Sequence, residues 1–287
     1  LRAEKILKDC IVSLSNIEFF IKKTDRGWLR DSGPMFVKNE SASGGETVLL
    51  DFKFNAWAKY EDYKLDDKIP SFISEKLNLR RVVAKYNGKQ VVLEGGAIDT
   101  NGKGTLITTE ECLLDEKVQT RNPGFTKSDY FEIFKKYFGV TNVIWLGKGI
   151  VGDDTHGHVD DICRFVNEDT VVLVTEENPN DENYSLLNEN KERLQNLHLP
   201  NGSKLNVVLL PMPSPHIFKG QRLPASYANF YISNYAILVP TFNDPNDRIA
   251  LGKLSELFTG RKVIGIHSVD LVWGLGTLHC LTKEQPA

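Results

Sequence analysis

Short apolar runs of strand length alternate with amphipathic helical patterns along this chain. The strand-like runs are rich in Val and Ile and are bounded by Gly, Asn, Asp or Pro, as buried strands that end in turns usually are. They read ETVLLDF, KQVVLEGG, GTLITTE, TNVIWLG, ICRFV, DTVVLVTEE, LNVVLLPMP, FYISNYAILVP and RKVIGIHS. Apolar residues at three- and four-residue spacing predict helices over 67–79, 126–138, 182–197 and 247–258, with Ser128 as an N-cap. The alternation predicts an α/β fold.

The strand and helix patterns also recur in a regular order. Several blocks run as strand, turn, strand, helix, strand, which indicates internal repetition with a period of tens of residues. The chain has no Pro/Ser/Gly-rich linker and no abrupt change of charge. We therefore expect residues 1–287 to form a single domain.

Charge and cysteine usage exclude several classes of function. The formal net charge is −3, so we expect no general attraction for nucleic acid or for an anionic membrane. No apolar run reaches membrane-spanning length. The four cysteines, Cys10, Cys112, Cys163 and Cys280, are widely spaced and form no CxxC pair, which favours reduced thiols in the cytoplasm. We expect Cys112 and Cys163 to be core thiols.

Two polar motifs lie in the first third of the chain. WLRDSGP, residues 28–34, places an Arg–Asp pair before Gly and Pro and by itself is typical of a turn with a surface ion pair. LEGG places Glu94 after an apolar run and before two glycines, which allow another backbone or a ligand to approach closely. A buried carboxylate at this position needs a partner. A strand-ending turn would explain the motif equally well.

The segment GDDTHGHVDD, residues 152–161, carries four carboxylates and two histidines. His158 and Asp160 are two residues apart and would face the same side of a strand. Such a pair suits acid–base chemistry beside a bound cation. A zinc or iron site made by His156, His158 and the nearby acids is the alternative. The chain has no HExxH motif to support it.

Two further motifs lie near the C-terminal end. In ASYANFYISN we expect Phe230 and Tyr231 to pack in the core. In GLGTLHCLTKEQP, Cys280 follows a glycine-containing loop. A thiol with a histidine elsewhere in the chain is a candidate thiolate nucleophile, although a core thiol in the last strand is the simpler interpretation.

Taken together, these groups favour guanidinium chemistry. A guanidinium is a planar, permanent cation with a fork of N–H donors, and carboxylates bind it in bidentate geometry. Its carbon is a poor electrophile, so attack requires a soft nucleophile such as a thiolate. Expulsion of ammonia requires a proton donor.

The motifs, in their order along the chain, resemble those of the agmatine deiminase and bacterial peptidylarginine deiminase family. The segments that carry the resemblance are WLRDSGP, LEGG, GKGTLITTEECLL with RNP, GDDTHGHVDD, ASYANFYI and HCLTKEQP. The resemblance implies the pentein fold, an α/β propeller in which a pseudo-fivefold ring of ββαβ modules surrounds a central site. The family segment that precedes WLRDSGP is absent, so we expect the first module to be incomplete.

The resemblance also implies roles for individual residues. Cys280 matches the nucleophile that forms a covalent amidino-thioether intermediate, and His158 matches the general acid and base. Asp31 and Asp160 match the carboxylates that bind the guanidinium nitrogens, and Glu94 matches the acid that orients the histidine. Further substrate-binding candidates are Trp28, Trp57 and Asp154.

The expected reaction is hydrolysis of agmatine to N-carbamoylputrescine and ammonia, with no metal and no cofactor. Leu275 stands where agmatine enzymes commonly have a glycine, and Lys283 and Glu284 stand where they often have glutamines. Free arginine or arginine in a peptide therefore remains an alternative substrate. A metal-dependent hydrolase and a non-catalytic guanidine-binding module are alternatives of other classes. The partner expected in each deiminase case is a small cationic guanidinium compound, and the chain could also form a homo-oligomer.

Overall fold

The computed structural model describes residues 1–39 and 45–286. The α-helices are α1 (Arg2–Asp9), α2 (Leu29–Ser32), α3 (Ile69–Leu77), α4 (Glu110–Leu114), α5 (Lys127–Phe138), α6 (Glu182–Leu194), α7 (Pro245–Leu257) and α8 (Leu278–Leu281). Short 3-10 turns span Ala56–Ala58, Asp66–Lys68, Gly95–Ala97, Val159–Asp161 and Leu271–Gly274. None of the helices in this part of the chain is long and apolar enough to cross a bilayer.

The strands are short. Those of the first half are β1 (Met35–Asn39), β2 (Glu46–Asp51), β3 (Arg80–Val83), β4 (Lys85–Tyr86), β5 (Lys89–Gln90), β6 (Asp99–Thr100), β7 (Thr105–Thr109) and β8 (Asn142–Leu146). Those of the second half are β9 (Cys163–Phe165), β10 (Thr170–Thr175), β11 (Asn206–Pro211), β12 (Ile217–Phe218), β13 (Gln221–Arg222), β14 (Tyr231–Ile232), β15 (Ala236–Thr241) and β16 (Lys262–His267).

Four three-stranded sheets share one topology. In each, the first two strands pair antiparallel, a helical connection follows, and the third strand pairs parallel with the second. The sheets are β1-β2-β3, β6-β7-β8, β9-β10-β11 and β14-β15-β16. The α/β class is confirmed, and the repetition expected from the sequence appears as four ββαβ units in separate sheets.

The helices cover the sheets with the apolar faces that their residue spacing predicts. Leu187 and Leu194 of α6 are fully buried in one cluster with Val172 of β10, and Leu254 of α7 belongs to the same cluster. Ile133 of α5 lies in a second cluster, with side chains from the first two units. Burial of these faces supplies the main driving force for the fold.

The predicted helices are confirmed to within a few residues of their ends, but the N-cap of α5 is Thr126, so the prediction of Ser128 was wrong. The hydroxyl of Thr126 accepts a hydrogen bond from the Asp129 N–H, and the Asp129 carboxylate accepts one from the Thr126 N–H. This reciprocal capping box satisfies two N–H groups that the helix leaves unpaired.

The segment around His158 is a turn, so the prediction that His158 and Asp160 lie on a strand was wrong. The Asp153 carboxylate accepts hydrogen bonds from the backbone N–H groups of Gly157 and His158, and Gly157 adopts a φ of +88°. These contacts wrap the chain around Asp153, and the 3-10 turn Val159–Asp161 follows. The two side chains reach the same site from a turn.

Cys280 lies in α8, so the interpretation that placed it as a core thiol in the last strand was wrong. The loop before α8 turns at Leu275, which adopts the left-handed conformation with φ 69° and ψ 30°. This conformation strains a residue that has a Cβ, at about 1–2 kcal/mol. Leu275 thus occupies a backbone position that suits glycine.

Each unit is preceded by a short turn, and these turns meet. Helix α2 precedes β1, Gly95–Ala97 precedes β6, Val159–Asp161 precedes β9, and residues 226–229 precede β14. Helix α2 contacts both α8 and the turn Gly95–Ala97, which in turn contacts Val159–Asp161. The repeated topology therefore brings together five segments that are far apart in the sequence.

Candidate active site

Three polar side chains converge on Gly96. A Cβ atom on Gly96 would lie 2.5 Å from His158 Nδ1, 3.0 Å from Asp31 Oδ1 and 3.1 Å from Asp160 Oδ2. The contact with His158 is too short for a real Cβ atom, and the other two are tighter than most such contacts, so the position favours glycine. This close approach is the role that the LEGG motif suggested from the sequence.

Asp31 is oriented by two donors from other segments. Its Oδ1 accepts a hydrogen bond from the Gly96 N–H at 3.1 Å, and its Oδ2 accepts one from Trp57 Nε1 at 2.9 Å. Trp57 is buried in a left-handed turn, with φ 58°, and packs edge-on against Phe54. Asp31 is 5% exposed, and its remaining lone pairs are available to a ligand.

His158 is fully buried between two carboxylates. Its Nδ1 lies 3.8 Å from Asp31 Oδ1, and its Nε2 lies 4.0 Å from Glu94 Oε2. Neither ring nitrogen has a hydrogen-bond partner among the described residues. Burial opposes protonation, but the Asp31 charge and the Cys112 thiol outweigh it and raise the pKa of His158 well above its ordinary value. The shift favours the imidazolium form of His158.

Glu94 is fixed by a buried arginine. Glu94 Oε1 accepts a hydrogen bond from Arg121 Nε at 3.1 Å, and neither side chain is exposed. Arg121 also donates to the backbone oxygens of Gln119 and Thr155. Glu94 Oε2 has no partner among the described residues. Arg121 belongs to the RNP segment, which the sequence had identified only as part of the family resemblance.

The Cys280 thiol lies next to Asp160 and Asn229. Its Sγ is 3.7 Å from Asp160 Oδ2 and accepts a hydrogen bond from Asn229 Nδ2 at 3.1 Å. Burial and the charges of Asp160, Asp161 and Asp31 raise the pKa of the thiol well above its ordinary value, whereas the Asn229 hydrogen bond opposes the shift. Without a cation in the site, Cys280 is a neutral thiol.

Asn229 is the central hydrogen-bonding residue around Cys280, and sequence analysis did not identify it. Its Oδ1 accepts from the Thr277 hydroxyl at 2.7 Å and from the His279 N–H at 3.1 Å, while its Nδ2 also donates to Asp161 Oδ1 at 2.9 Å. A flipped amide would place oxygen against a carboxylate and NH₂ against an N–H donor, so these partners fix its orientation.

The aromatic residues beside Asn229 follow the core prediction only in part. Phe230 is fully buried as expected, but Tyr231 is half-buried, and the fully buried tyrosine of this motif is Tyr227. The motif did not single out Asn229, because its aromatic and polar residues are equally compatible with a core strand and with a polar turn.

Asp160 has one paired oxygen and one unpaired oxygen. Its Oδ2 lies 2.6 Å from His279 Nδ1, and its Oδ1 has no partner among the described residues. Burial and the Asp31 charge raise the pKa of Asp160 to about 7, against the opposing effect of His158. Burial and the nearby Arg164 and Arg30 lower the pKa of His279, so its ring is neutral and Nδ1–H donates. Sequence analysis did not identify this contact of His279.

The three additional substrate-binding candidates lie at different places. Trp57 contacts Asp31 directly. Trp28 packs on the loop before Cys280, where a Cβ on Gly276 would lie 2.9 Å from its ring. Asp154 is paired within the chain, since it accepts from Lys59 Nζ at 2.5 Å and from the Tyr60 hydroxyl at 2.7 Å.

The metal-ligand set considered from the sequence is not brought together. His156 pairs through Nε2 with Asp115 at 2.9 Å, and Asp154 pairs with Lys59, so neither lies with His158 in a common set. Within the described ranges, two groups have ligand atoms within 4.8 Å of one another, namely Glu94–Cys112–His158 and Asp160–Asp161–Cys280. The first group lies beside the Arg121 guanidinium, which disfavours a second cation there.

The C-terminal motif is tied to α2 by Arg30. Arg30 donates from Nε to the His279 carbonyl at 3.1 Å and from Nη1 to Glu284 Oε1 at 2.9 Å, and Lys283 Nζ donates to the Arg30 carbonyl at 3.1 Å. Burial and the Arg30 charge lower the pKa of Lys283 to about 8. Lys283 and Glu284 thus connect α8 to the segment that carries Asp31.

Comparison with known proteins gives consistent matches over nearly the whole chain. The profile of the Porphyromonas-type peptidyl-arginine deiminase family matches residues 2–286. A Latilactobacillus sakei protein, named provisionally as an agmatine deiminase, is 36% identical over 295 residues, covering 95% of this chain and 78% of its own.

Two solved agmatine deiminases are similar in structure. A cysteine-to-serine variant of the C. jejuni enzyme with substrate bound has a TM-score of 0.84 and 31% identity, covering 98% of this chain and 80% of that one. The Enterococcus faecalis enzyme has a TM-score of 0.81 and 32% identity, covering 90% of this chain and 74% of that one.

Proposed function

The chain belongs to the Porphyromonas-type peptidyl-arginine deiminase family, and on that premise we propose that it hydrolyses agmatine to N-carbamoylputrescine and ammonia. One observation carries the proposal. Two buried carboxylates, Asp31 and Asp160, converge on a glycine beside a buried thiol, Cys280, and a buried imidazole, His158. This is the set of groups that binding and cleaving a guanidinium requires.

The guanidinium binds between Asp31 and Asp160. Asp160 Oδ1 is a buried acceptor with no partner in the described part of the chain, and an unpaired buried acceptor is unfavourable until a donor reaches it. A guanidinium supplies donors in a planar fork and a charge that offsets the two carboxylates. The substrate therefore completes hydrogen bonding that the protein alone leaves open.

Substrate binding also ionises the nucleophile. Before substrate binds, burial and the charges of Asp160, Asp161 and Asp31 keep the proton on Cys280. A bound guanidinium offsets those charges near Sγ, so the thiolate becomes favourable when substrate is present and the thiol proton is released to solvent. The side-chain Nδ2 of Asn229 then donates to a sulfur that carries negative charge, and this charge strengthens the hydrogen bond.

The reaction then proceeds in two halves. The thiolate attacks the guanidinium carbon and forms the C–S bond, and the protonated His158 donates its proton to one terminal nitrogen, which leaves as ammonia. In the second half, His158 takes a proton from water as the water oxygen adds to the carbon of the amidino-thioether. The C–S bond breaks, the hydroxyl proton of the adduct passes to the departing sulfur, the ureido product leaves, and Cys280 returns as a neutral thiol.

The remainder of the substrate is selected near Asp154. Gln119 Nε2 donates to the carbonyls of both Trp57 and Asp154 at 3.1 Å, which links Asp154 to the tryptophan that orients Asp31. The terminal ammonium of agmatine pairs with Asp154 and displaces Lys59. Free arginine or arginine in a peptide is the second candidate, because Lys59 could pair with its carboxylate or face its backbone.

Several further properties belong to the same proposal. The turns that carry Asp31, Glu94, Asp160 and Asn229 precede four ββαβ units, and the turn that carries Cys280 would open a fifth. This supports a pseudo-fivefold pentein ring within a single domain. All four cysteines are unpaired, which supports a cytoplasmic location. Assembly into a homo-oligomer and the absence of any cofactor remain predictions.

A substrate panel tests the proposed function. Purified protein is incubated with agmatine, arginine and an arginyl peptide, and ammonia release is measured with and without a chelator. We expect the highest kcat/KM with agmatine and no effect of the chelator. Cys280→Ala is the inactive control. Binding of agmatine without ammonia release by wild-type protein would instead indicate a guanidine-binding module, and loss of activity with the chelator would indicate a metal-dependent hydrolase.

A further inference from the structure

A second thiol, Cys112, lies beside the active-site histidine. Sγ of Cys112, one ring nitrogen of His158 and one carboxylate oxygen of Glu94 lie within 4.8 Å of one another. Cys112 is 2% exposed, and the other two side chains are fully buried. The sequence had suggested only a core thiol at this position, and none of the catalytic steps above uses it.

The backbone around Cys112 is connected directly to the segment of His158. The Thr109 hydroxyl accepts a hydrogen bond from the Cys112 N–H at 3.1 Å and donates one to the carbonyl of Gly157 at 2.5 Å. Thr109 is fully buried and caps α4, so one side chain joins the first turn of that helix to the residue before His158. Little freedom remains for the thiol to move relative to the imidazole.

The chemistry of a thiol suits this place. Both nitrogens of His158 and Glu94 Oε2 lack hydrogen-bond partners in the described ranges. A thiol sulfur is a weak hydrogen-bond acceptor, so it can accept from the protonated ring without placing a further carboxylate against it. A carboxylate in contact with the ring would stabilise one protonation state more strongly.

We propose that Cys112 is a positioning residue for His158, whose sulfur keeps the imidazole between Asp31 and Glu94 and favours its protonated form. This inference rests on the proposed function, which assigns the proton transfers to His158. The charged and titratable groups closest to the ring are Asp31 from α2, Glu94 from the turn before β6, Cys112 from α4 and Asp160 from its own turn, with Arg121 behind Glu94. Asp161 and His279 also interact with the ring electrostatically.

The electrostatics agree with the geometry. After burial and the Asp31 charge, the Cys112 thiol is the next contribution to the pKa of His158, and it raises that pKa. Cys163 of β9 provides a matched control for Cys112, because its thiol is also buried. Its charged neighbours are Asp99 and Arg164. A thiol that serves only to fill the core should behave like Cys163.

Titration of His158 tests the inference without relying on turnover. The imidazole signal is followed by NMR against pH in substrate-free protein and is assigned by its loss in His158→Gln. We expect Cys112→Ala to move the titration midpoint of His158 to lower pH, because one contribution that raises its pKa is gone. Cys163→Ala should leave the titration unchanged. Cys112→Val repeats the test with the side-chain volume retained should the alanine variant fold poorly.

The outcomes separate this inference from the proposed function. An unchanged titration of His158 in a folded Cys112→Ala or Cys112→Val variant would show Cys112 to be an ordinary core thiol, whatever the substrate. A lowered pKa supports the positioning role even if agmatine is not turned over. If the protein turns over substrate, its activity should fall at high pH as His158 loses its proton. In Cys112→Ala this fall should occur at lower pH than in wild type, and in Cys112→Ser it should lie between the two.

Discussion

Sγ of Cys280 lies 3.7 Å from Oδ2 of Asp160, so the proposed nucleophile faces a carboxylate that opposes its ionisation. The same carboxylate leaves Oδ1 open toward a substrate cation. Asp160 therefore disfavours the thiolate before substrate binds, and in the proposed mechanism it also binds the guanidinium that makes the thiolate favourable. This relationship makes a neutral thiol the resting state of the enzyme.

The first prediction follows from this opposition. Asp160→Asn should speed alkylation of Cys280 by iodoacetamide in substrate-free protein, because the pKa of the thiol falls when the nearby charge is removed. The same variant should lose at least ~30-fold in kcat/KM, corresponding to about 2 kcal/mol for a lost charged partner. The exposed Glu116→Gln serves as control and should change neither rate. Slower alkylation of Asp160→Asn would contradict the electrostatic account.

The second prediction concerns the close approach at Gly96. Gly96→Ala should reduce kcat/KM by ~100-fold or more, because the new methyl group overlaps His158 and crowds Asp31 and Asp160, and small displacements of reacting groups are costly. Gly252→Ala is the control, since a Cβ there meets nothing within 4 Å, and in α7 alanine favours the helix by up to about 1 kcal/mol. Near-normal turnover of Gly96→Ala would mean that the three side chains do not act together.

The third prediction is a pH dependence of stability. The pKa of Asp160 is raised from 3.8 to about 7 in the folded protein. A carboxyl group with a raised pKa in the folded protein binds its proton more tightly there than in the unfolded chain. Its contribution to the free energy of unfolding is complete below the unfolded pKa and is lost as pH rises through the folded pKa. Between about pH 5 and about pH 8.5, the Tm of substrate-free wild type should therefore fall more than that of Asp160→Asn. Parallel changes in the two proteins would show that Asp160 does not titrate in this range.

The fourth prediction concerns the substrate tail. Lys59→Met should lower KM for agmatine, because it removes the ammonium that pairs with Asp154 at 2.5 Å, and should leave kcat nearly unchanged. Asp154→Asn should raise KM for agmatine. Because the Lys59–Asp154 pair is partly exposed, we expect changes of only a few fold, about 1 kcal/mol or less. Equal effects of Lys59→Met on agmatine and arginine would argue against selection at Asp154.

Much of the fold and part of the site could be predicted from the sequence. The helices α3, α5, α6 and α7 and most of the long strands follow from local residue spacing, which the structure keeps. The sequence also selected Asp31, Glu94, His158, Asp160 and Cys280, and the structure gathers these side chains around Gly96 and Asn229.

The rest depends on contacts that no local pattern records. Asn229 contacts Cys280, which lies 51 residues away in the sequence, and His279 contacts Asp160, which lies 119 residues away. Arg121 and Cys112 acquire their roles from Glu94 and His158, which lie elsewhere in the chain. The two-residue spacing of His158 and Asp160 suggested a strand because spacing alone cannot distinguish a strand from a turn wrapped around Asp153.

The central claim is that Cys280 forms a covalent intermediate with the guanidinium carbon. Wild-type protein is mixed with agmatine, quenched in acid within the steady state, digested, and examined by mass spectrometry, with Cys280→Ala as control. The account predicts an amidino adduct on the peptide that contains Cys280 and none on those containing Cys10, Cys112 or Cys163. An adduct on another cysteine, or sustained turnover by Cys280→Ala, would contradict it.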